Sequence, residues 1–260
     1  YIRETVSYKV EEDESINAFV LSPKTPGIYP GIICHHQHQH DRIFGKEEPA
    51  GINGNKELAY AEEITQKGFI CLVPDSLAFG ERRDIDDPIG YHYYEVASHL
   101  VQGKTLLAKN IHDLTQGLDY LESREDVASN KLGFIGHSFG GRMAIWMAAM
   151  DHRIKATVCN CGCISYKHSL TRDAGIQLEF LIQGIMKSLD IEDLVKLIEP
   201  NHLLISGTTQ DKWCRGMEEV YTTAKPAFKK GSLELAMYEG VHIFNREMRE
   251  YAYDFLMNQL

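Results

Sequence analysis

Leu132-Gly133-Phe134-Ile135-Gly136-His137-Ser138-Phe139-Gly140-Gly141-Arg142-Met143-Ala144 is the stretch whose reading decides the fold. A short apolar strand runs into a Gly-x-Ser-x-Gly pentapeptide, and a helical pattern follows at once. A serine on so sharp a strand-to-helix turn sits in a strained backbone conformation with its oxygen projecting over the sheet edge. Small residues on either side keep the turn from clashing with itself. The helix that starts just beyond points its first N–H groups toward an oxyanion forming there. The pentapeptide by itself is common. Its position between a strand and a helix is what marks Ser138 as a nucleophile rather than part of a glycine-rich turn.

Working outward, the same alternation recurs along the chain. Apolar runs at 31–34, 69–73, 132–135, 156–159, 202–206 and 233–238 read as strands, separated by helical patterns at 56–67, 94–123, 141–150, 212–225 and 244–258. Near-continuous apolar strands alternating with helices predict a mostly parallel sheet covered on both faces. Ahead of them, residues 1–10 and 15–21 read as a β-hairpin closed by the acidic turn Glu11–Glu14. Between Cys163 and Glu199 the rhythm breaks: helical patterns at 176–189 and 191–198 follow each other with no strand between them. The expectation is one domain over residues 1–260. It is a three-layer α/β sandwich with about eight strands, an N-terminal hairpin and a small helical cap inserted at about 164–199.

A serine hydroxyl needs a base within hydrogen-bond reach and a third group that holds the base in the right tautomer. On this architecture both follow the serine in the order acid, then histidine, each in a loop after a later strand. The strand at 202–206 runs into Gly207-Thr208-Thr209-Gln210-Asp211, and the strand at 233–238 runs into Glu239-Gly240-Val241-His242. Taken singly, Asp211 reads as a helix N-cap and His242 as a surface loop histidine. Their joint occurrence in that order makes Ser138, Asp211 and His242 the candidate triad. For the oxyanion, one donor is the backbone N–H of Phe139. The second is assigned to Gln37, in the loop His35-His36-Gln37-His38-Gln39-His40-Asp41 after the first core strand.

These residues and their flanks resemble the α/β-hydrolase superfamily, and within it the dienelactone hydrolase and acetyl xylan esterase-like branch. The resemblance runs from about Ser15 to the end of the chain. It is carried by the strand leading into His35, by Val73-Pro74-Asp75 with Phe79-Gly80-Glu81-Arg82, and by Asp193-Leu194 through Ile198-Glu199-Pro200 into Leu203-Leu204-Ile205-Ser206-Gly207. It implies a serine esterase without a cofactor, acting on small acyl esters, acetylated sugars or lactones. An amidase or peptidase would use the same triad, and a non-catalytic binding protein could share the fold. In one respect the chain departs from the branch. Relatives carry Gly after the histidine that ends the first core strand, whereas this chain has His36, and a side chain there narrows the loop.

His36-x-His38-x-His40-Asp41 also resembles the zinc loop of the metallo-β-lactamase family. There, however, Asp precedes the last His, and here the order is reversed. The expected role of these histidines is to line the mouth of the site, without a metal. His36, His38, Arg82 and His137 are the candidate substrate contacts. Glu81, Arg82 and Arg83 also have a simpler reading, as internal ion pairs that anchor the rim. In the cap, Leu178, Phe180, Leu181, Ile185 and Met186 form an apolar face that packs on the body, with one edge open to an acyl pocket. Cys159-x-Cys161-x-Cys163 lacks the Cys-x-x-Cys spacing of zinc sites and reads as a packed strand end.

The formal net charge of −10, from 37 acidic and 27 basic residues, argues against nucleic acid as a partner. No apolar run approaches the ~20 residues needed to cross a bilayer, so no membrane partner is expected. Several of the six cysteines lie in apolar, strand-like runs, and the set reads as reduced, buried thiols, which favours the cytoplasm. The expected partner is a small-molecule ester, with association into a homo-oligomer left open.

Overall fold

The computed structural model describes residues 1–39 and 41–260. An eight-stranded sheet runs through it: β1 (Ile2–Glu11), β2 (Glu14–Ser22), β3 (Tyr29–His35), β4 (Ile70–Pro74), β5 (Val127–His137), β6 (Ile154–Asn160), β7 (His202–Thr208) and β8 (Leu233–Tyr238). Their spatial order is β1-β2-β4-β3-β5-β6-β7-β8. The β1–β2 and β2–β4 pairs are antiparallel and all the others parallel. Every residue of β4 is buried, as is nearly all of β6 and β7, the continuous apolar pattern expected of strands covered on both faces.

The covering helices are α1 (Tyr60–Gln66), α2 (Pro88–Val101), α3 (Leu106–Glu122), α4 (Phe139–Met150), α5 (Tyr166–Ser169), α6 (Ile191–Lys196), α7 (Met217–Ala224) and α8 (Arg246–Gln259). The register shows how they divide. A Cβ added at Gly31 would meet Leu121 of α3, whereas one at Gly133, beside Ile32, would meet Leu260 at the end of α8. Alternate residues of the sheet therefore face the α3 and α8 layers. On the α8 side, Arg249 pairs with Glu57 and with Glu63 of α1, which ties the last helix to the first.

Two helical expectations change in the structure. The pattern at 94–123 is split into α2 and α3 by Gln102-Gly103-Lys104, where Gly103 takes a φ of 72° that ends the first helix. The insertion between β6 and β7 is less helical than its periodicity predicts. Residues 176–189 hold only two short 3-10 turns, Leu178–Phe180 and Ile185–Lys187, with the left-handed Gly184 at the start of the second. Amphipathic spacing survives without a helix because the segment is held by its apolar side chains. Leu178 and Leu181 pack on Leu77, Val96 and Leu106, and Phe180 is fully buried.

The strand order reverses at β3. Its successor β4 lies on one side and β5 on the other, so the loops leaving β3 and β5 diverge and open a crevice at their carboxyl ends. Gln37 leaves one strand there and Ser138 leaves the other.

Candidate active site

Ser138 sits at φ 58°, ψ −118°, between the last residue of β5 and the first of α4. Its N–H donates to the Asn160 carbonyl at 2.8 Å, and its own carbonyl accepts from Arg142 N at 3.0 Å. The neighbouring glycines are required by space. A Cβ on Gly136 would overlap the Gly140 carbonyl, and one on Gly140 would overlap the His35 carbonyl. The Ser138 hydroxyl makes no hydrogen bond among the described residues and lines a cleft with Arg142, Cys161, Gly162, Ile164, Gln177 and Trp213.

Asp211 follows β7 and His242 follows β8, and the structure brings them together: His242 Nδ1 lies 2.6 Å from Asp211 Oδ2. The bond leaves Nε2 as the free ring nitrogen. Burial pushes the Asp211 carboxyl up, but hydrogen bonds from His242, the Trp213 amide and the Cys214 thiol outweigh it and hold it below the usual value. Asp211 also caps the 3-10 turn at Lys212–Cys214 through the Trp213 amide, so one carboxyl serves both the cap and the contact with His242.

The loop bearing His242 is pinned on both sides. Thr208 Oγ1 donates to the Val241 carbonyl at 2.9 Å, while Asn160 Nδ2 and Cys161 Sγ donate to the Ile243 carbonyl at 3.1 and 3.4 Å. Asn160 thus touches both halves of the site, because its carbonyl also holds the Ser138 amide. His137, expected to meet substrate, is instead buried behind His242, with ring centroids 4.7 Å apart, and Asn160 Nδ2 contacts its Nδ1 at 2.7 Å. Burial, then the neighbouring His242, pulls its pKa well below the usual histidine value. A neutral ring is therefore the platform on which His242 rests.

On the other wall, the N–H groups of Phe139 and Gln37 donate to no acceptor among the described residues. His36 does not narrow this loop as its side chain suggested. The ring turns into the core, stacked 4.7 Å from His35 and tilted against Phe79 at 4.8 Å, with Nδ1 on the Gln37 carbonyl and Nε2 accepting from the Ser76 amide. Burial lowers its pKa to about 4. It is a neutral strut and does not reach substrate. Nor does Arg82: its guanidinium is spent on Glu14 and Asp113, at 2.7 and 2.8 Å, and on the Asp75 carbonyl. That is the ion-pair reading of the rim.

His38 does line a groove, with Arg42, His92, Tyr93, Ile176, Gln177 and Trp213. Gln177 and Trp213 also line the cleft at Ser138, so the groove continues it. Below His38 lies a cluster the sequence did not announce. Glu179, fully buried in the insertion, accepts from Arg42 at 2.8 Å and lies 3.3 and 3.1 Å from the Nε2 atoms of His38 and His92. Burial raises the Glu179 carboxyl, but these partners outweigh it and hold it well below the usual range. His36 and His38 do not converge, since one ring is in the core and the other on Arg42 and Glu179; His40 lies outside the described residues.

All six cysteines are buried and free. Cys161, Asp211 and Cys214 each bring one potential ligand atom within 4.8 Å of the others. Hydrogen bonding with Cys161, then burial, pushes the Cys214 thiol up, so it stays protonated and donates to Asp211 Oδ2 at 3.3 Å. Cys214 thus helps hold the Asp211 carboxyl, while Cys161 holds the Ile243 carbonyl in the His242 loop. No helix among the described residues is long and apolar enough to cross a membrane.

With the elbow, the acid–histidine pair and the fold in place, the comparisons with known proteins agree. The model of the dienelactone hydrolase family matches residues 16–255, and the chain belongs to that family of hydrolases. A curated relative, "Putative hydrolase YtaP" of Bacillus subtilis (strain 168), is 32% identical over 215 residues, covering 79% of this chain and 69% of its own. Among solved structures, the "putative acetyl xylan esterase" of Bacteroides fragilis NCTC 9343 superposes with a TM-score of 0.72 at 17% identity, over 91% of this chain and 66% of that one. A glucuronoyl esterase from Solibacter usitatus gives 0.67 at 16% identity, over 99% and 81%. At these identities the structures establish the α/β-hydrolase fold alone. The chain spans just under two thirds of the Bacteroides protein's length.

Proposed function

We propose that the protein hydrolyses carboxylic esters of small acids through Ser138, His242 and Asp211. The observation that carries this reading is the 2.6 Å bond between His242 Nδ1 and Asp211 Oδ2, beside a serine held at φ 58° in a cleft. Ser138 Oγ forms a bond to the ester carbonyl carbon while its proton passes to His242 Nε2, and Asp211 stabilises the resulting imidazolium. The carbonyl electron pair moves onto oxygen, where the unclaimed N–H groups of Phe139 and Gln37 receive it. Collapse breaks the bond to the alcohol oxygen, which takes the proton from His242. Water then repeats the sequence on the acyl-enzyme and releases the acid. The bond between Ser138 and His242 is of the kind that closes when substrate arrives. The cleft at Ser138 is narrow, walled by Arg142, Ile164, Gln177 and Trp213, which favours short acyl groups.

A fluorophosphonate probe tests the nucleophile. One adduct on Ser138 is expected, with loss of p-nitrophenyl acetate hydrolysis in step with labelling. Full labelling elsewhere, or activity that survives modification of Ser138, overturns the reading.

A further inference from the structure

Ester hydrolysis needs a carboxylate behind His242, but it does not need two sulfurs beside that carboxylate. Cys161, Cys214 and Asp211 each bring one potential ligand atom within 4.8 Å of the others, and all three residues are buried. They come from separate elements: Cys161 directly follows β6, Asp211 follows β7, and Cys214 closes the 3-10 turn at Lys212–Cys214. Space is kept for the Cys214 sulfur, since a Cβ on Gly207 would come within 2.5 Å of it. Cys161 takes a φ of 51°, a left-handed conformation that costs a residue with a side chain about 1–3 kcal/mol. In that conformation its sulfur joins the cluster.

Cys214 donates to Asp211 Oδ2 at 3.3 Å, and hydrogen bonding with Cys161, burial and the Asp211 charge all push its pKa up. A divalent cation inverts that balance, because it neutralises the charges that buried thiolates would otherwise impose on one another and on Asp211. We propose that Cys161 Sγ, Cys214 Sγ and Asp211 Oδ2 bind a zinc-like divalent cation, whose arrival draws the acid off His242 and switches hydrolysis off. Only the switching half rests on the ester hydrolase reading above.

The donor set selects the ion. Magnesium and calcium take oxygen ligands, whereas two thiolates with one carboxylate suit Zn²⁺ and softer ions such as Cd²⁺. Zinc holds thiolate sulfur at about 2.3 Å and carboxylate oxygen at about 2.1 Å, so tetrahedral ligands lie about 3.5–4 Å apart. A spread of at most 4.8 Å closes to that with small side-chain rotations. Cys161 and Trp213 line the cleft at Ser138, so the ion enters by the substrate's route, and water from the cleft supplies the fourth ligand. The other neighbouring thiols, Cys34 on β3 and Cys71 on β4, have no third ligand with them among the described residues.

Binding exchanges one divalent ion for two thiol protons, which pass to solvent, and no electrons are transferred. The net charge of the site is therefore unchanged, and the effect on catalysis comes through the shared oxygen. Asp211 Oδ2 accepts from His242 Nδ1 at 2.6 Å as well as from Cys214. An ion there replaces the weak thiol contact with a coordinate bond and takes up electron density that otherwise stabilises the imidazolium.

The test uses the whole chain, stripped with a chelator, and follows p-nitrophenyl acetate hydrolysis against buffered Zn²⁺. One equivalent of zinc should lower kcat by more than about 10-fold with KM little changed, and chelator should restore it; losing the acid altogether costs about 10⁴-fold. Cys161→Ser and Cys214→Ser, each referred to its own metal-free rate, should raise the inhibition constant by about 100-fold or more. Cys71→Ala, from the other thiol pair, should keep the wild-type constant. Cd²⁺ should give thiolate-to-metal charge-transfer absorption that saturates at one equivalent, in step with inhibition, in the wild type and Cys71→Ala alike. Should the serine variants fail to fold, that absorption decides by itself, and inhibition without it overturns the proposal. No inhibition by zinc up to about 1 mM, or equal inhibition of the wild type and both serine variants, also overturns it. Absence of turnover with no fluorophosphonate adduct on Ser138 instead removes the ester hydrolase reading, because the cadmium absorption is read without substrate.

Discussion

Replacing Ser138 by glycine is expected to inactivate the protein and stabilise it in the same step. At φ 58°, ψ −118° the serine occupies a region that costs a residue with a side chain about 1–3 kcal/mol. Its hydroxyl makes no hydrogen bond among the described residues, so removing it forfeits little. Glycine takes this conformation freely but gives back about 0.5–1 kcal/mol through the extra freedom of its unfolded chain. The net gain is about 0–2.5 kcal/mol, centred near 1, a rise of a few degrees in Tm for a chain of this size. Ser138→Ala keeps the Cβ and therefore the strain, so it should stay within about 0.5 kcal/mol of the wild type. The order of the two variants is the diagnostic, because alanine ordinarily outranks glycine wherever φ is negative. Urea and thermal unfolding, followed by both circular dichroism and tryptophan fluorescence, read the difference. Hydrolysis of p-nitrophenyl acetate should be lost in both variants. An alanine variant as stable as the glycine one would falsify the strain argument, and near wild-type turnover in either would remove Ser138 as nucleophile.

Stability should fall with acidity before most carboxylates titrate. Burial holds His35 and His137 well below the usual histidine value and His36 at about 4, whereas in the unfolded chain each titrates near 6.5. Below that pH the unfolded state takes up protons that the native state cannot, so the stability these groups contribute is complete above about 6.5 and is lost as pH drops. Asp75, whose carboxyl burial raises, works in the opposite direction, leaving a net slope of up to about 3 kcal/mol per pH unit between 6 and 4.5. Urea midpoints that stay level from pH 7 to 5 would contradict this. Glu179→Gln should destabilise the chain by about 3 kcal/mol, since it leaves the Arg42 guanidinium buried without its carboxylate. An unchanged urea midpoint would show that this ion pair does not hold the insertion to the body.

Chain order alone was enough to assign the sheet, because fully buried parallel strands must be apolar at every position, as Ile70–Pro74 is. The split between α2 and α3 was missed because a single glycine within a long helical pattern looks tolerable until its backbone is seen at φ 72°. The helix expected at 176–189 does not form, for a different reason. Apolar residues at helical spacing also suit an irregular segment whose side chains find pockets in the body.

Arg142 was visible in the sequence as one charge in an otherwise apolar helix. Nothing local said that it would be buried against Tyr166 and Phe180, because both lie in the insertion. The sequence by itself determined the elbow at Ser138, since the need for glycine at 136 and 140 and for a helix directly after the serine is local and steric. It also determined the order in which Asp211 and His242 come. Only the tertiary structure decided what the remaining polar residues do. His36, His137 and Arg82 look like rim contacts along the chain but face inward, because each finds its hydrogen-bond or stacking partner on another element. Burial and pairing are properties of the packed molecule, and a residue's type and position in the chain do not contain them.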